Sequence, residues 1–192
     1  VELRRLDAGS EPDLRLGARI FCAAPQYMQE TFGRLPTEAD GRRFVTHVPA
    51  DSRREEILVF AAFEQQVALG LIQVQRRYIH PHRANIGLLL VDPAHRRQGH
   101  GSAMLRRLSE LTLEWTATTH FAVSVLDNNT AGLAFWRNAG FKTLVSGFAE
   151  PGYQTGLTVM ERLARLDATA PGAQVFAPTS AGCYTLPAGM RR

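Results

Sequence analysis

The stretch Ile86-Gly87-Leu88-Leu89-Leu90-Val91-Asp92-Pro93-Ala94-His95-Arg96-Arg97-Gln98-Gly99-His100-Gly101-Ser102 decides the fold. Residues 86 to 91 are apolar without alternation, which predicts a strand covered on both faces and therefore central in a sheet. The glycine-rich turn then feeds a helix whose apolar residues Met104, Leu108, Leu111 and Trp115 keep the 3.6-residue period, with Arg106, Arg107, Glu110 and Glu114 on its other side. A strand that ends in such a turn offers backbone N–H groups at the positive end of a helix dipole, which suits an anion. Gly99 and Gly101 let the main chain approach a diphosphate closely, and Arg96 and Arg97 add charge nearby. The same residues also fit a tight connection with solvated arginines. Met104 stands where a dinucleotide fingerprint needs its third glycine, and no Gly-Lys-Ser/Thr follows, so Rossmann and P-loop sites are disfavoured.

Outward from this stretch, strand and helix patterns alternate. Phe121 to Leu126 reads as another strand, and Asp127-Asn128-Asn129-Thr130 offers caps for a helix that runs to Ala139 and stops at Gly140. Lys142 to Phe148 and Thr155 to Glu161 predict a closing strand pair. Upstream, Val1 to Leu6 reads as an edge strand, and Asp13 to Cys22 as a short helix begun by Pro12 and stopped by Pro25. Thr37 caps a second short helix carrying Phe44, Val45 and Val48. Glu56 to Phe63 and Val67 to Tyr78 form a hairpin about Glu64-Gln65-Gln66, followed by a polar turn at His80 to Arg83. The order predicts an α/β fold on a mixed central sheet of about six to seven strands flanked by helices.

With 192 residues, one domain over residues 1–163 and an extension over 164–192 fit better than two domains. The extension has no helical or strand period. It reads either as a terminal tail without chemistry or as a strap on the body or on a second subunit of a homodimer. A hydrophobic share of 45% excludes wholesale disorder, and no apolar run reaches the ~18 residues of a membrane helix. Cys22 and Cys183 are too isolated for a disulfide framework or a zinc set, and no signal segment opens the chain, so a reducing cytoplasm is expected. The formal charge of +4 comes from 21 scattered arginines and Lys142, without interleaved aromatics, which argues against nucleic acid.

Two segments together carry a resemblance. Arg96, Gly99 and Gly101 match the Arg/Gln-x-x-Gly-x-Gly/Ala pattern of motif A in the GNAT superfamily of N-acetyltransferases. Asn129, seven residues before Trp136, and the Gly140-Phe141 that ends the helix match the second half of that family's signature. The resemblance implies the GNAT fold, with acetyl-CoA as donor and its diphosphate on the amides of Arg97, Gln98, Gly99, His100, Gly101 and Ser102, beside Arg96. Pantetheine would lie along Leu88 to Val91, where that strand splays from the Phe121 strand, with Asn129 as a hydrogen-bond partner and Trp136 packed beside it. A backbone N–H near Leu89 or Leu90 would polarise the thioester carbonyl. Asn129 can equally be a plain N-cap. Two departures from the family stand out. Gly132 replaces a frequent Ala, a matter of helix propensity alone, and Trp136 replaces a frequent Tyr and so removes a phenolic acid.

On the acceptor side Tyr27, Tyr78, His80, His82 and Tyr153 are candidates, each also readable as packing or a polar turn. His80 and His82 have no carboxylate or cysteine nearby to complete a metal set, so no metal is expected. Asn85 to Val91 holds no acidic residue, which leaves a water chain or a histidine as proton acceptor. The resemblance thus implies acetyl transfer to a primary amine, most simply of a small molecule. The alternatives are a protein N-terminus or lysine, and a module that binds CoA without chemistry.

Overall fold

The computed structural model describes residues 1–50, 52–115, 117–150, 153 and 155–164, so the tail expected over 164–192 lies, beyond Ala164, outside the described residues. Among the described residues seven strands form one sheet: β1 (Glu2–Arg5), β2 (Ile57–Glu64), β3 (Val67–Gln75), β4 (Arg83–Val91), β5 (His120–Leu126), β6 (Lys142–Phe148) and β7 (Leu157–Leu163). Their order is β1-β2-β3-β4-β5-β7-β6. Of these strands β4 and β5 pair in parallel, and the other neighbours are antiparallel. The hairpin between β2 and β3 turns at Gln65 and Gln66, both with positive φ (47° and 71°), the handedness that matches the twist of the flanking strands.

Helices α1 (Glu11–Ala23), α2 (Pro25–Phe32) and α3 (Glu38–Thr46) cover one face, and α4 (His100–Leu111) and α5 (Thr130–Asn138) cover the other. On the first face Phe21, Met28, Phe44 and Val45 pack against Val59, Leu71, Leu88 and Leu90. On the second, Met104, Leu108, Leu133 and Trp136 pack against Ile72, Ile86, Phe121 and Val123. A strand whose neighbouring residues enter two different cores needs apolar side chains at consecutive positions, which is why β4 shows no alternation. Gly41 brings α3 against α1, since a Cβ there would stand 2.5 Å from the Ala18 Cα.

Several boundaries differ from the sequence reading, among them the end of β3 at Gln75 rather than Tyr78, and three have a plain physical reason. Pro25 does follow the end of α1, but it also opens the unforeseen α2, because the first position of a helix tolerates the missing N–H. Helix α4 stops at Leu111, and Trp115 follows a 3₁₀ turn (Thr112–Glu114) while still packing on the core. Strand β4 begins at Arg83 rather than Ile86, and Arg83 is buried.

Candidate active site

Strands β4 and β5 pair only from Arg83↔His120 to Asn85↔Ala122, and beyond that register they part. Where they part, β4 carries a bulge: Gln73 pairs Leu88 and Val74 pairs Ile86, so Gly87 is the extra residue. A Cβ on Gly87 would stand 2.6 Å from the Gln73 Oε1, so a side chain there would displace the Gln73 amide. Past it the ladder alternation fixes where backbone groups aim. The Asp92 N–H donates to the Leu69 carbonyl at 2.8 Å, which places the Leu90 N–H on the β3 side and turns the Leu89 and Val91 N–H groups into the gap. The Val91 carbonyl, on that open side, accepts from the Arg96 Nε at 3.0 Å.

The loop after β4 uses left-handed backbone at Arg97 (φ 62°) and Gly99 (φ 82°). Gly99 is the N-cap of α4 and supplies no side-chain cap, so the first N–H groups of this helix are not taken up by a capping side chain. Gly101 faces inward, where a Cβ would meet the Phe135 ring at 3.3 Å and the Leu89 side chain at 3.6 Å. Gln98 folds back on the Ala94 carbonyl at 3.4 Å and is exposed.

Asn129 caps α5, its Oδ1 accepting from the Gly132 N–H at 2.8 Å. Its amide lies flat on Gly132, where a Cβ would come within 2.7 Å of the Asn129 Nδ2. Gly132 therefore gives room to the cap, a role beyond helix propensity. Trp136 is buried between Phe135 and Phe141, with ring centroids 5.0 and 4.9 Å away, and still reaches the wall of the gap.

This arrangement has a known counterpart. The model of the acetyltransferase (GNAT) family matches residues 24–141, more than half of the chain. The chain belongs to that family. No curated protein matches the sequence. Among solved structures, an acetyltransferase from Thermus thermophilus is 23% identical at a TM-score of 0.67, over 84% of this chain and 96% of that one. A Salmonella typhimurium acetyltransferase that modifies the N-terminal serine of ribosomal protein L7/L12 is 18% identical at a TM-score of 0.67, over 84% and 93%. A further Salmonella typhimurium protein, solved with acetyl-CoA as its cofactor, is 17% identical at a TM-score of 0.60, over 90% and 98%. As a GNAT member the chain is an acetyl-CoA-dependent acetyltransferase.

In this GNAT chain a cleft of about 1560 Å³ runs from the Arg96 to Ser102 loop, across the gap, to the far ends of β3 and β4. Leu89, Leu90, Val91, Arg96, Arg97, Gly99, His100, Gly101, Ser102, Asn129 and Trp136 all line it; Gln98 does not. Tyr27, Tyr78 and Tyr153 line it as well, Tyr78 at the end by β3 and β4, whereas His80 and His82 stand outside, the His82 Nδ1 lying 2.8 Å from the Ala117 carbonyl oxygen. Sequence reasoning missed the floor of that end, made of Gln73, Gln75, Asn85 and Ser124, and His47 at the end of α3. Gln75 donates to the Ser52 Oγ at 2.6 Å. Burial, with Arg43 nearby, pushes His47 below the ordinary imidazole value, so the ring is neutral near pH 7. Burial also pushes the Tyr27 phenol up to about 12, which keeps it protonated. Among the described residues no group of three or more His, Cys, Asp or Glu could hold a metal, and no helix is long and apolar enough to cross a membrane.

Proposed function

We propose that the protein moves an acetyl group from acetyl-CoA to the primary amine of a small molecule, by direct attack in a ternary complex. The observation that carries this reading is the gap opened where β4 leaves β5 beyond Asn85↔Ala122, with an uncapped helix N-terminus at one end and a polar floor at the other. Acetyl-CoA supplies the activated acyl thioester. The loop amides from Arg97 to Ser102 hold its diphosphate, and Arg96 adds charge while fixed to the Val91 carbonyl. The Asn129 Nδ2 remains a donor for the pantetheine arm, because Oδ1 is spent on the cap. Of Leu89 and Leu90, the ladder turns Leu89 toward the gap, so its N–H polarises the thioester carbonyl. Trp136 packs beside the acetyl arm and donates no acid. A thiol of pKa about 8.5 leaves as thiolate without one.

The acceptor end is bounded by α2, α3, the turn at Arg77 to Ile79 and Tyr153, an enclosure suited to a small amine. Glu30 is its single lining carboxylate among the described residues, so the floor reads the amine through neutral groups. A protein N-terminus is the competing acceptor, drawn from the Salmonella neighbour that modifies a serine N-terminus. Dispersed arginines and the isolated Cys22 support a reducing cytoplasm and no nucleic-acid partner. Thiol release from acetyl-CoA, followed with spermidine, phenethylamine, a lysine amide and alanyl and seryl peptides, tests the reading. Turnover of a free amine at a kcat/KM at least tenfold above either peptide is expected. Preference for a peptide overturns the small-molecule assignment.

A further inference from the structure

Five buried polar atoms gather on one face of β4, β5 and β7 at the root of the gap: the Asn85 Oδ1, the Ser124 Oγ, the Glu161 Oε1 and the Arg83 Nε and Nη2. None has a hydrogen-bond partner among the described residues, although the Arg83 Nε stands 3.1 Å from the Glu161 Oε1. Register explains the gathering. Asn85 pairs Ala122, which pairs Glu161, so Asn85 and Glu161 flank a methyl group on one row, and Ser124 lies two residues along β5 on the same face. Asn85 and Ser124 line the cleft, while Glu161 sits behind them, 6% exposed. Buried polar groups are ordinarily satisfied, and a cluster of orphans beside a substrate cleft is where a ligand's own donors fit.

We propose that Asn85 and Ser124 seat the acceptor's amine and that Ser124 passes its proton to Glu161, the carboxylate that β4 itself lacks. This rests on the acetyltransferase reading above. The acceptor arrives as an ammonium ion; its N–H groups donate to the Asn85 Oδ1 and the Ser124 Oγ. Ser124 takes one proton and gives its own to the Glu161 carboxylate over a bridging water, since the two side chains are diagonal neighbours on the sheet face and not in direct contact. The freed nitrogen lone pair forms the C–N bond to the thioester carbonyl carbon, the C–S bond breaks, and the departing thiolate takes the second nitrogen proton. Glu161 then returns its proton to solvent. Among the described residues of the sheet, Arg83 on β4, His120 on β5 and Lys142, opposite Glu161 on β6, are the charged or titratable groups on the carboxylate's face. Burial pushes the carboxyl above its ordinary value, and Arg83 opposes that shift.

The experiment uses the full chain and the best amine of the panel, with kcat and KM followed from pH 5.5 to 9.5 and folding checked by circular dichroism. Ser124→Ala removes the relay hydroxyl and is expected to lower kcat at pH 7 at least tenfold, with the KM for acetyl-CoA unchanged and the loss shrinking as pH approaches the amine's own pKa. Glu161→Gln keeps an oxygen before Arg83 and is expected to shift the acidic limb of kcat. Should Glu161→Gln misfold, Ser124→Ala decides. A Ser124→Ala profile within twofold of wild type throughout, or an acidic limb that moves with His47→Gln instead, overturns the relay while leaving acetyl transfer standing. A wild type that binds acetyl-CoA and acetylates no amine overturns both.

Discussion

The guanidinium of Arg83 and the carboxylate of Glu161 face one another at 3.1 Å across β5, with side chains 2% and 5% exposed. They join β4 to β7 at the register where the sheet begins to open. Removing one partner strands the other charge inside the protein. Glu161→Ala is therefore expected to cost about 3 to 5 kcal/mol, and the volume-matched pair Arg83→Met with Glu161→Leu to recover most of it. Urea unfolding of the two variants checks this. A Glu161→Ala loss below about 1 kcal/mol would show that the charge finds water instead.

Asp40 contributes to the acid limb of stability. Arg34 donates twice to its carboxylate at 2.7 Å, and the Thr37 N–H and hydroxyl donate at 2.8 Å, so the carboxyl is held well below its ordinary 3.8. A depressed folded value means that the stabilisation is complete above about 3.8 and is lost as pH falls toward the folded value. Asp40→Asn should lose about 1 to 3 kcal/mol at pH 7 and flatten the fall in stability below pH 4. Urea titrations between pH 2.5 and 7 measure both effects. Parallel acid limbs for the two proteins would remove Asp40 from the account.

Gly99 and Gly101 are needed for different reasons. Gly99 has open space around its Cα and a φ of 82°, so the demand is conformational, and Gly99→Asn should keep acetyl-CoA affinity within about threefold because Asn tolerates left-handed backbone. Gly101 has no such φ, but a side chain there would push on Phe135 and Leu89, both on the wall of the gap. Gly101→Val should raise the acetyl-CoA Kd at least tenfold in a protein that still folds. Calorimetry with an unchanged Kd for Gly101→Val would detach this turn from donor binding.

The donor half is legible in the sequence because its determinants are local. A strand without alternation, two glycines and an amphipathic helix lie within 26 residues, from Ile86 to Leu111, and each constrains the next. The capping box at Thr37 and Asp40 is equally readable, its two partners being three residues apart. The acceptor half is not legible, because Gln73, Asn85, Ser124 and His47 come from four places in the chain and meet only through the β3–β4–β5 register and the packing of α3. His80 and His82 draw attention by spacing alone, and the turn that ends at Arg83 carries both outside the cleft. In sequence Arg83 reads as a turn residue, since an arginine inside a strand looks like an edge, and its partner lies 78 positions away. Gly132 suggests only helix propensity, whereas the side chain that needs its bare backbone is the Asn129 cap.

Trp136 separates packing from chemistry. Its ring lies edge-on to Phe135 and Phe141 and is 8% exposed, so it belongs to the core under α5 as much as to the wall of the gap. An indole N–H is no acid near neutral pH, and the thiolate leaves without help at pH 7 to 8. Trp136→Phe retains aromatic bulk and should hold kcat within about tenfold of wild type. Trp136→Ala opens a cavity between two rings and should cost about 3 to 5 kcal/mol in unfolding free energy, with weaker acetyl-CoA binding as the wall relaxes. Steady-state kinetics, calorimetry and thermal unfolding of the two variants distinguish the roles. If Trp136→Phe lost ~10³-fold in kcat while folding and donor affinity stayed intact, the indole N–H would be acting on the reacting atoms, since a deficit of about 4 kcal/mol confined to the transition state cannot come from packing that both states share.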